Sequence, residues 1–287
     1  MNGFRVIDSH VHFWSPRQLH YPWLTEAPSL QRAFLPEHFE ALDTGAISTL
    51  LFVEANCEPS EADVELDFVD DLAAREARIA GSVAFVDMND DATRPSRLDR
   101  LARRERIVGV RHNIQGHPAG YCLSSSFIAG VHEVGSVGLT FDLCVTADQL
   151  DDAVELVRRC PEVHMILDHC GKPSIRSDEF TPWSVGVGRL AEFNNVACKV
   201  SGLLTEARPD QRNANALQPY VEHVRECFGP ERLLYGSDWP VVTLAGGEEL
   251  WRATVSELTR EWSAADRQLL YADNAVRHYA LERHAIH

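Results

Sequence analysis

Eight short apolar runs, nearly all followed by a stretch with helical spacing, constrain this chain more than any other feature. The first, from Phe4 to Ile7, continues into Asp8, His10 and His12 at alternate positions. The others are Ser48 to Ala55, Ile79 to Val86, Ile107 to Asn113, Leu139 to Val145, His164 to His169, Val196 to Val200 and Leu233 to Asp238. Between and after them, helical spacing covers Pro36 to Ala46, Ser60 to Ala77, Pro95 to Glu105, Ser124 to Gly138, Thr146 to Cys160, Pro182 to Asn194 and Asn213 to Phe228. Glu248 to Arg260 and Ala264 to Arg283 complete the series. Strand followed by helix about eight times predicts an α/β protein with a (β/α)8 TIM barrel. At 287 residues, with no internal repeat and no low-complexity linker, one domain spanning 1–287 is expected. A doubly wound open sheet is the competing architecture, but the first strand-helix turn lacks Gly-x-Gly-x-x-Gly.

In a barrel the active site lies at the carboxyl ends of the strands. That is where the unusual residues fall: His10, His12, Glu54, Arg111, His169 and Asp238 all end apolar runs. His-x-His on a strand end turns two imidazoles toward one point. With Asp238 they make two nitrogens and a carboxylate, the minimum for an open metal site that keeps a position for water. Zinc is the expected ion, with a fourth ligand from either Glu54 or His169. Without metal, the imidazoles and Arg111 polarise a carbonyl and Asp238 takes a proton from water.

Each residue also has a plainer reading. Glu54 just past a strand can cap the next turn, Arg111 can pair with an acid, His169 can be a satisfied core histidine, and Asp238 before Trp-Pro can form a turn. Lys172, in a Gly-Lys-Pro turn, reads as a solvated loop charge. Lys199 is a cation inside an apolar strand, which implies a buried pair with one of the acids. The long connection from Phe13 to Phe34 carries Trp14, Tyr21 and Trp23 and is expected to fold over something. Trp14, Trp23 and Trp239 are expected to line the mouth of the site with flat apolar faces.

Charge and cysteine usage bound the partners. Lys plus Arg number 27 against 43 Asp plus Glu, a net charge of −16, which repels nucleic acid and anionic membranes as general partners. No apolar run approaches the roughly 20 residues of a membrane span. Seven cysteines without a C-x-x-C pair suit a reducing cytosol, and no leader pattern precedes the first strand, so a cytoplasmic location is expected. A homo-oligomer is compatible with all of this. Serine-hydrolase and phosphate-loop chemistry have no motif here.

Five stretches together resemble the amidohydrolase superfamily: Ile-Asp-Ser-His-Val-His-Phe-Trp (7 to 14), Tyr-Pro-Trp-Leu (21 to 24), Gly-Val-Arg (109 to 111), Leu-Asp-His-Cys-Gly-Lys-Pro (167 to 173) and Gly-Ser-Asp-Trp-Pro (236 to 240). Within it they are most similar to the sugar-acid lactonases and pyrone dicarboxylate lactonase. The resemblance implies a distorted (β/α)8 barrel that opens a small-molecule lactone, with Asp238 as general base and His169 on the substrate carbonyl. It also implies relatives that work without metal. Strand five has no histidine where metal-dependent relatives often place a ligand, which fits such relatives, and strand four has no lysine for a bridging carbamate, so a binuclear site is not expected. A metal-dependent decarboxylase of the same superfamily uses a similar His-x-His and late Asp. A non-catalytic binding barrel is the alternative from another class.

Overall fold

The computed structural model describes residues 4–281. Eight parallel strands follow one another around a single sheet in chain order. They are β1 Ile7–Val11, β2 Thr49–Val53, β3 Ile79–Phe85, β4 Ile107–Arg111, β5 Thr140–Leu143, β6 Met165–Leu167, β7 Val196–Val200 and β8 Leu233–Tyr235. This is the (β/α)8 barrel that the strand count predicts. Parallel strands covered on both sides must be apolar throughout, and every residue of β2, β6 and β8 is buried.

Helices follow β2 to β8 in turn: Ala62–Ala73, Arg94–Leu101, Ser125–Ser136, Leu150–Arg159, Thr181–Ala191, Ala214–Phe228 and Gly247–Leu258. Ahead of Leu150–Arg159, Gln149 accepts from the Thr146 backbone N–H at 3.1 Å, one half of a capping box. The crossover from β1 to β2 differs. Instead of one helix over Pro36 to Ala46, a 3-10 turn at Pro36–His38 and a single turn at Glu40–Asp43 are separated by Phe39, whose ψ of 90° is extended. The long aromatic connection is closed at its ends by paired backbone bonds between Trp14 and Phe34 at 3.0 and 2.9 Å. The expected last helix runs without a gap from Ala264 to His278, but its middle turn, Leu269–Asp273, is of π type. Its final residues, 282 and 283, lie outside the described residues.

Two apolar cores result. One lies between sheet and helices; the other is inside the barrel, built on Ile7, Leu51, Val53, Val83, Val108, Ile166, Ala197 and Leu234. Ala272, Ala275, Tyr279 and Leu281 join this interior core, so the last of the described residues plug the barrel.

The join between β8 and β1 is not a regular ladder. β8 has only three residues, and the carbonyls that would continue it are taken: Tyr235 O accepts from Ser9 Oγ at 2.6 Å and Gly236 O from the Trp251 indole at 2.8 Å. Asp8 Oδ1 accepts the Ser237 N–H at 2.8 Å. Only then does backbone pairing resume, with Asp238 N–H on His10 O at 2.9 Å and His12 N–H on Trp239 O at 2.8 Å. Pairing with β2 slips between Asp8 and Val11, and Ile7 rather than Asp8 joins the interior core. The strict alternation expected from Asp8 to His12 is therefore interrupted.

Gly236 lets the two edges approach. A Cβ there would stand 2.8 Å from His10 Cβ and 3.2 Å from Ser201 Cβ. Gly236→Ala should therefore cost about 1–3 kcal/mol, as overpacking does. Denaturant unfolding tests it, and an unchanged midpoint would show that the seam has room.

Candidate active site

The seam delivers the first functional side chains. His10 and His12 come from the carboxyl end of β1 and Asp238 from just beyond β8, and the pairing of Asp238 with His10 puts them side by side. His12 Nε2 lies 3.4 Å from Asp238 Oδ1, His10 Nε2 3.9 Å and His169 Nε2 4.0 Å. Three imidazoles thus face one carboxylate oxygen, all of them nearly excluded from solvent.

His169 reaches this point through backbone that side chains rarely adopt. After β6 the chain turns at His169 (φ 53°, ψ 38°) and Cys170 (φ 53°, ψ 25°), both left-handed. The ring lies against Gly202, where a Cβ would come within 2.7 Å of it. Its Nδ1 is 2.8 Å from Ser201 Oγ.

Burial decides the charge states. It pushes His169 down to about 4 despite the facing Asp238, so that ring is neutral at pH 7. Burial and the neighbouring Lys199 ammonium lower His10 well below its ordinary value. For Asp238 burial alone would raise the pKa, but the rings of His169, His12 and His10 outweigh it and hold the carboxyl well below the usual range.

Behind these groups runs a buried network. Arg111, at the end of β4, gives Nε to Glu54 Oε1 at 2.6 Å, one terminal nitrogen to Glu54 O at 2.7 Å and the other to Asp168 Oδ2 at 3.2 Å. Lys199, on β7, pairs with Asp142 on β5 and with Asp168 at 2.9 Å, and lies 3.1 Å from His10 Nδ1. The cation in an apolar strand is thus paired with two acids. Asp142 and Asp168 were not singled out in the sequence; the one signal for either was the unpartnered charge of Lys199.

A cavity of about 350 Å³ opens in front of this cluster, and His12, His169, Asp238, Arg111, Trp23 and Lys172 are among its walls. A depression of about 400 Å³ beside Phe39 and Trp239 is larger but holds none of the clustered imidazoles with Asp238. Three expectations need correction. Trp14 is fully buried with its indole N–H on Leu30 O and Arg32 O, so it packs the connection and does not face the cavity. Trp239 stacks on Phe39, 4.6 Å between centroids, and belongs to the outer depression. Glu54 does not line the cavity either: Oε1 holds Arg111 and Oε2 accepts the Asn56 N–H at 2.7 Å, so it both caps the turn and orients the guanidinium. In the other direction, Lys172 is no solvated loop charge. It lines the cavity, with its ammonium on Gln115 Oε1.

The donor set fits a divalent ion. His12 Nδ1 must donate to Val53 O, 2.8 Å away, because a carbonyl only accepts; in the neutral ring the lone pair is then on Nε2, facing the Asp238 carboxylate. His10 Nε2 is buried without a partner. A lone pair and a carboxylate at this separation call for a cation or a hydrogen donor between them. His10, His12 and Asp238 would hold a metal, with His169 rather than Glu54 beside it.

Comparison with known proteins gives the family. The family sequence pattern described as amidohydrolase matches residues 7–281. The chain belongs to the amidohydrolase family. It is 32% identical to an L-fucono-1,5-lactonase of Burkholderia multivorans, with 97% of each chain covered, and 30% identical to one of Burkholderia ambifaria, with 96% of each covered. A crystal structure of a Burkholderia multivorans amidohydrolase with bound zinc superimposes with a TM-score of 0.85 at 31% identity, covering 96% of this chain and 99% of that one. A structure from Pseudomonas putida described as a putative 2-pyrone-4,6-dicarboxylic acid hydrolase shares the fold, with a TM-score of 0.74 at 22% identity, over 97% of this chain and 98% of that one.

This amidohydrolase also buries Glu65 beside Glu54, and burial raises its carboxyl to about 8, with the Glu54 charge adding to it. A folded pKa above the ordinary 4.5 means stability that is present at acid pH and lost as pH rises through about 8. Glu65→Gln keeps the acceptor for the Ala55 N–H and removes the titration. Its melting temperature relative to the parent should climb between about pH 5 and pH 9. A difference that stays constant with pH would show that Glu65 titrates normally.

Proposed function

We propose that this protein hydrolyses the lactone of a sugar acid, taking a small cyclic ester as substrate. The observation that carries the reading is the single Asp238 oxygen ringed by three imidazole Nε2 atoms at a cavity sized for one sugar ring. The full-length likeness to L-fucono-1,5-lactonases supports it.

Each residue then has a task. A water donating one hydrogen to His12 Nε2 and the other to Asp238 keeps its lone pairs free for attack. Asp238, anionic at neutral pH, takes the proton as the oxygen adds to the lactone carbonyl. His169, with Ser201 donating to Nδ1, carries its hydrogen on Nε2 and donates a hydrogen bond from it to the carbonyl oxygen as negative charge develops there. Arg111, fixed by Glu54 and Asp168, adds positive potential without having to move. When the tetrahedral intermediate collapses, the Asp238 carboxyl returns its proton to the leaving ring oxygen. Trp23, held by its indole N–H on Ala55 O, offers a flat apolar face, while Asn56, Gln115 and Lys172 suit hydroxyl groups. A divalent ion, zinc by its donor set, would when bound on His10, His12 and Asp238 polarise the carbonyl and acidify water.

The residues 1–287 are read as one domain. No helix among the described residues is long and apolar enough to cross a membrane, and the seven cysteines are free thiols, which suits a cytoplasmic enzyme.

Ring opening releases a proton, so a panel of aldonolactones can be followed with a pH indicator, with and without added zinc. Asp238→Asn should lower kcat at least about a hundredfold, the scale of a removed general base. Unchanged turnover in that variant would exclude this mechanism.

A further inference from the structure

We propose that Lys199 is a positioning residue that holds the proton of His10 on Nε2, and that by doing so it opposes metal binding at His10. An ammonium has three hydrogens to give and no lone pair. Lys199 Nζ meets three fully buried groups: it donates to Asp142 Oδ2, lies within hydrogen-bond reach of His10 Nδ1 at 3.1 Å, and forms an ion pair with Asp168 Oδ1 at 2.9 Å, an oxygen that no hydrogen bond satisfies. Facing an ammonium, His10 Nδ1 accepts. The proton of the neutral ring is then on Nε2, the atom that points to Asp238 across 3.9 Å.

The ammonium cannot move away. Asp142 binds it from below, and Asp142 is itself fixed by the Tyr279 hydroxyl at 2.9 and 2.8 Å from its two oxygens. Tyr279 is among the last described residues, which plug the barrel, so a residue on the far side of the interior core sets the chemistry of β1. Metal binding at His10 needs the opposite tautomer, with Nδ1–H given to Asp168 Oδ1 at 3.3 Å, an arrangement in which that hydrogen would confront Lys199. His12 has no such conflict, since its Nδ1 faces a carbonyl. In the lactone reading, on which this use alone rests, His10 Nε2–H is a second donor beside His169 for the developing oxyanion.

The test does not depend on turnover. In the metal-free enzyme with 15N-labelled histidine, long-range 1H–15N correlations, assigned against His10→Gln, should show His10 Nδ1 unprotonated and Nε2 protonated. The pair Lys199→Met with Asp142→Asn removes one charge of each sign and leaves Asp168 its bond from Arg111. Zinc titrated calorimetrically into it should bind at least about tenfold more tightly than to the parent, on the scale of changes behind a ligating histidine. A proton on His10 Nδ1 in the parent overturns the proposal, and that measurement needs no variant to fold. Zinc affinity within about twofold of the parent overturns it equally.

Discussion

Closure of the barrel between its last and first strands is the constraint on which the rest depends. A closed parallel barrel must satisfy the backbone of every strand, and β8 is too short to do this by a regular ladder. Side chains do part of the work instead: Ser9 and Asp8 from β1, and the Trp251 indole. Their intervention delays the backbone pairing until His10 and Asp238, and so the irregular join is also the place where imidazole and carboxylate meet. Stability and chemistry cannot be separated at this seam. A slip of one residue would turn the site residues away from one another and leave buried N–H groups without acceptors.

The interior above the apolar layer is unusual for a barrel, because it holds charge where branched aliphatic residues would pack. Arg111 and Lys199 are buried with Glu54, Asp142 and Asp168, two cations with three carboxylates. Such pairs gain little net stability, since desolvation offsets their attraction, but removing one partner leaves a buried charge that costs about 3–5 kcal/mol. Burial pushes Asp142 up to about 6 even with Lys199 against it, a measure of how unwelcome the extra negative charge is. What the network secures is orientation. Guanidinium and ammonium sit behind the imidazoles at fixed positions, and no reorganisation is needed when charge appears on a substrate.

Much of this was legible in the sequence because periodicity and polar strand ends survive without tertiary context. Eight apolar runs and their polar last residues marked the barrel and the neighbourhood of His10, His12, His169 and Asp238. What was hidden depended on contacts between distant segments. Trp14 and Trp23 are two aromatic residues of one loop, and nothing local distinguishes the one whose indole is consumed by Leu30 and Arg32 from the one that borders the cavity. Glu54 could have faced substrate until Arg111, 57 positions later, was seen to take its carboxylate. Asp168 and Asp142 look like ordinary acids in apolar strands until Lys199 is placed between them. The slip in β1 pairing was equally invisible, as alternation in the chain continues through it.

Backbone conformation carries the remaining information. Asn56, His169, Cys170, Lys172 and Asp238 all have φ between 45° and 60°, and all stand just beyond strands at the same end of the barrel. A left-handed side-chain-bearing residue costs about 1–2 kcal/mol, so five of them are not accidents of loop closure. Regular extended backbone would send successive side chains to opposite faces, and only one of each pair could look into the cavity. The left-handed turn at His169 breaks that rule, and the His169 ring settles against Gly202 with Nε2 turned to Asp238. At Asp238 the same conformation comes three residues beyond the short strand whose closure the seam enforces. The rigid sheet therefore holds these residues in conformations they would not keep in a free loop, and it is this local strain that brings His169 and Asp238 to the imidazoles that β1 presents.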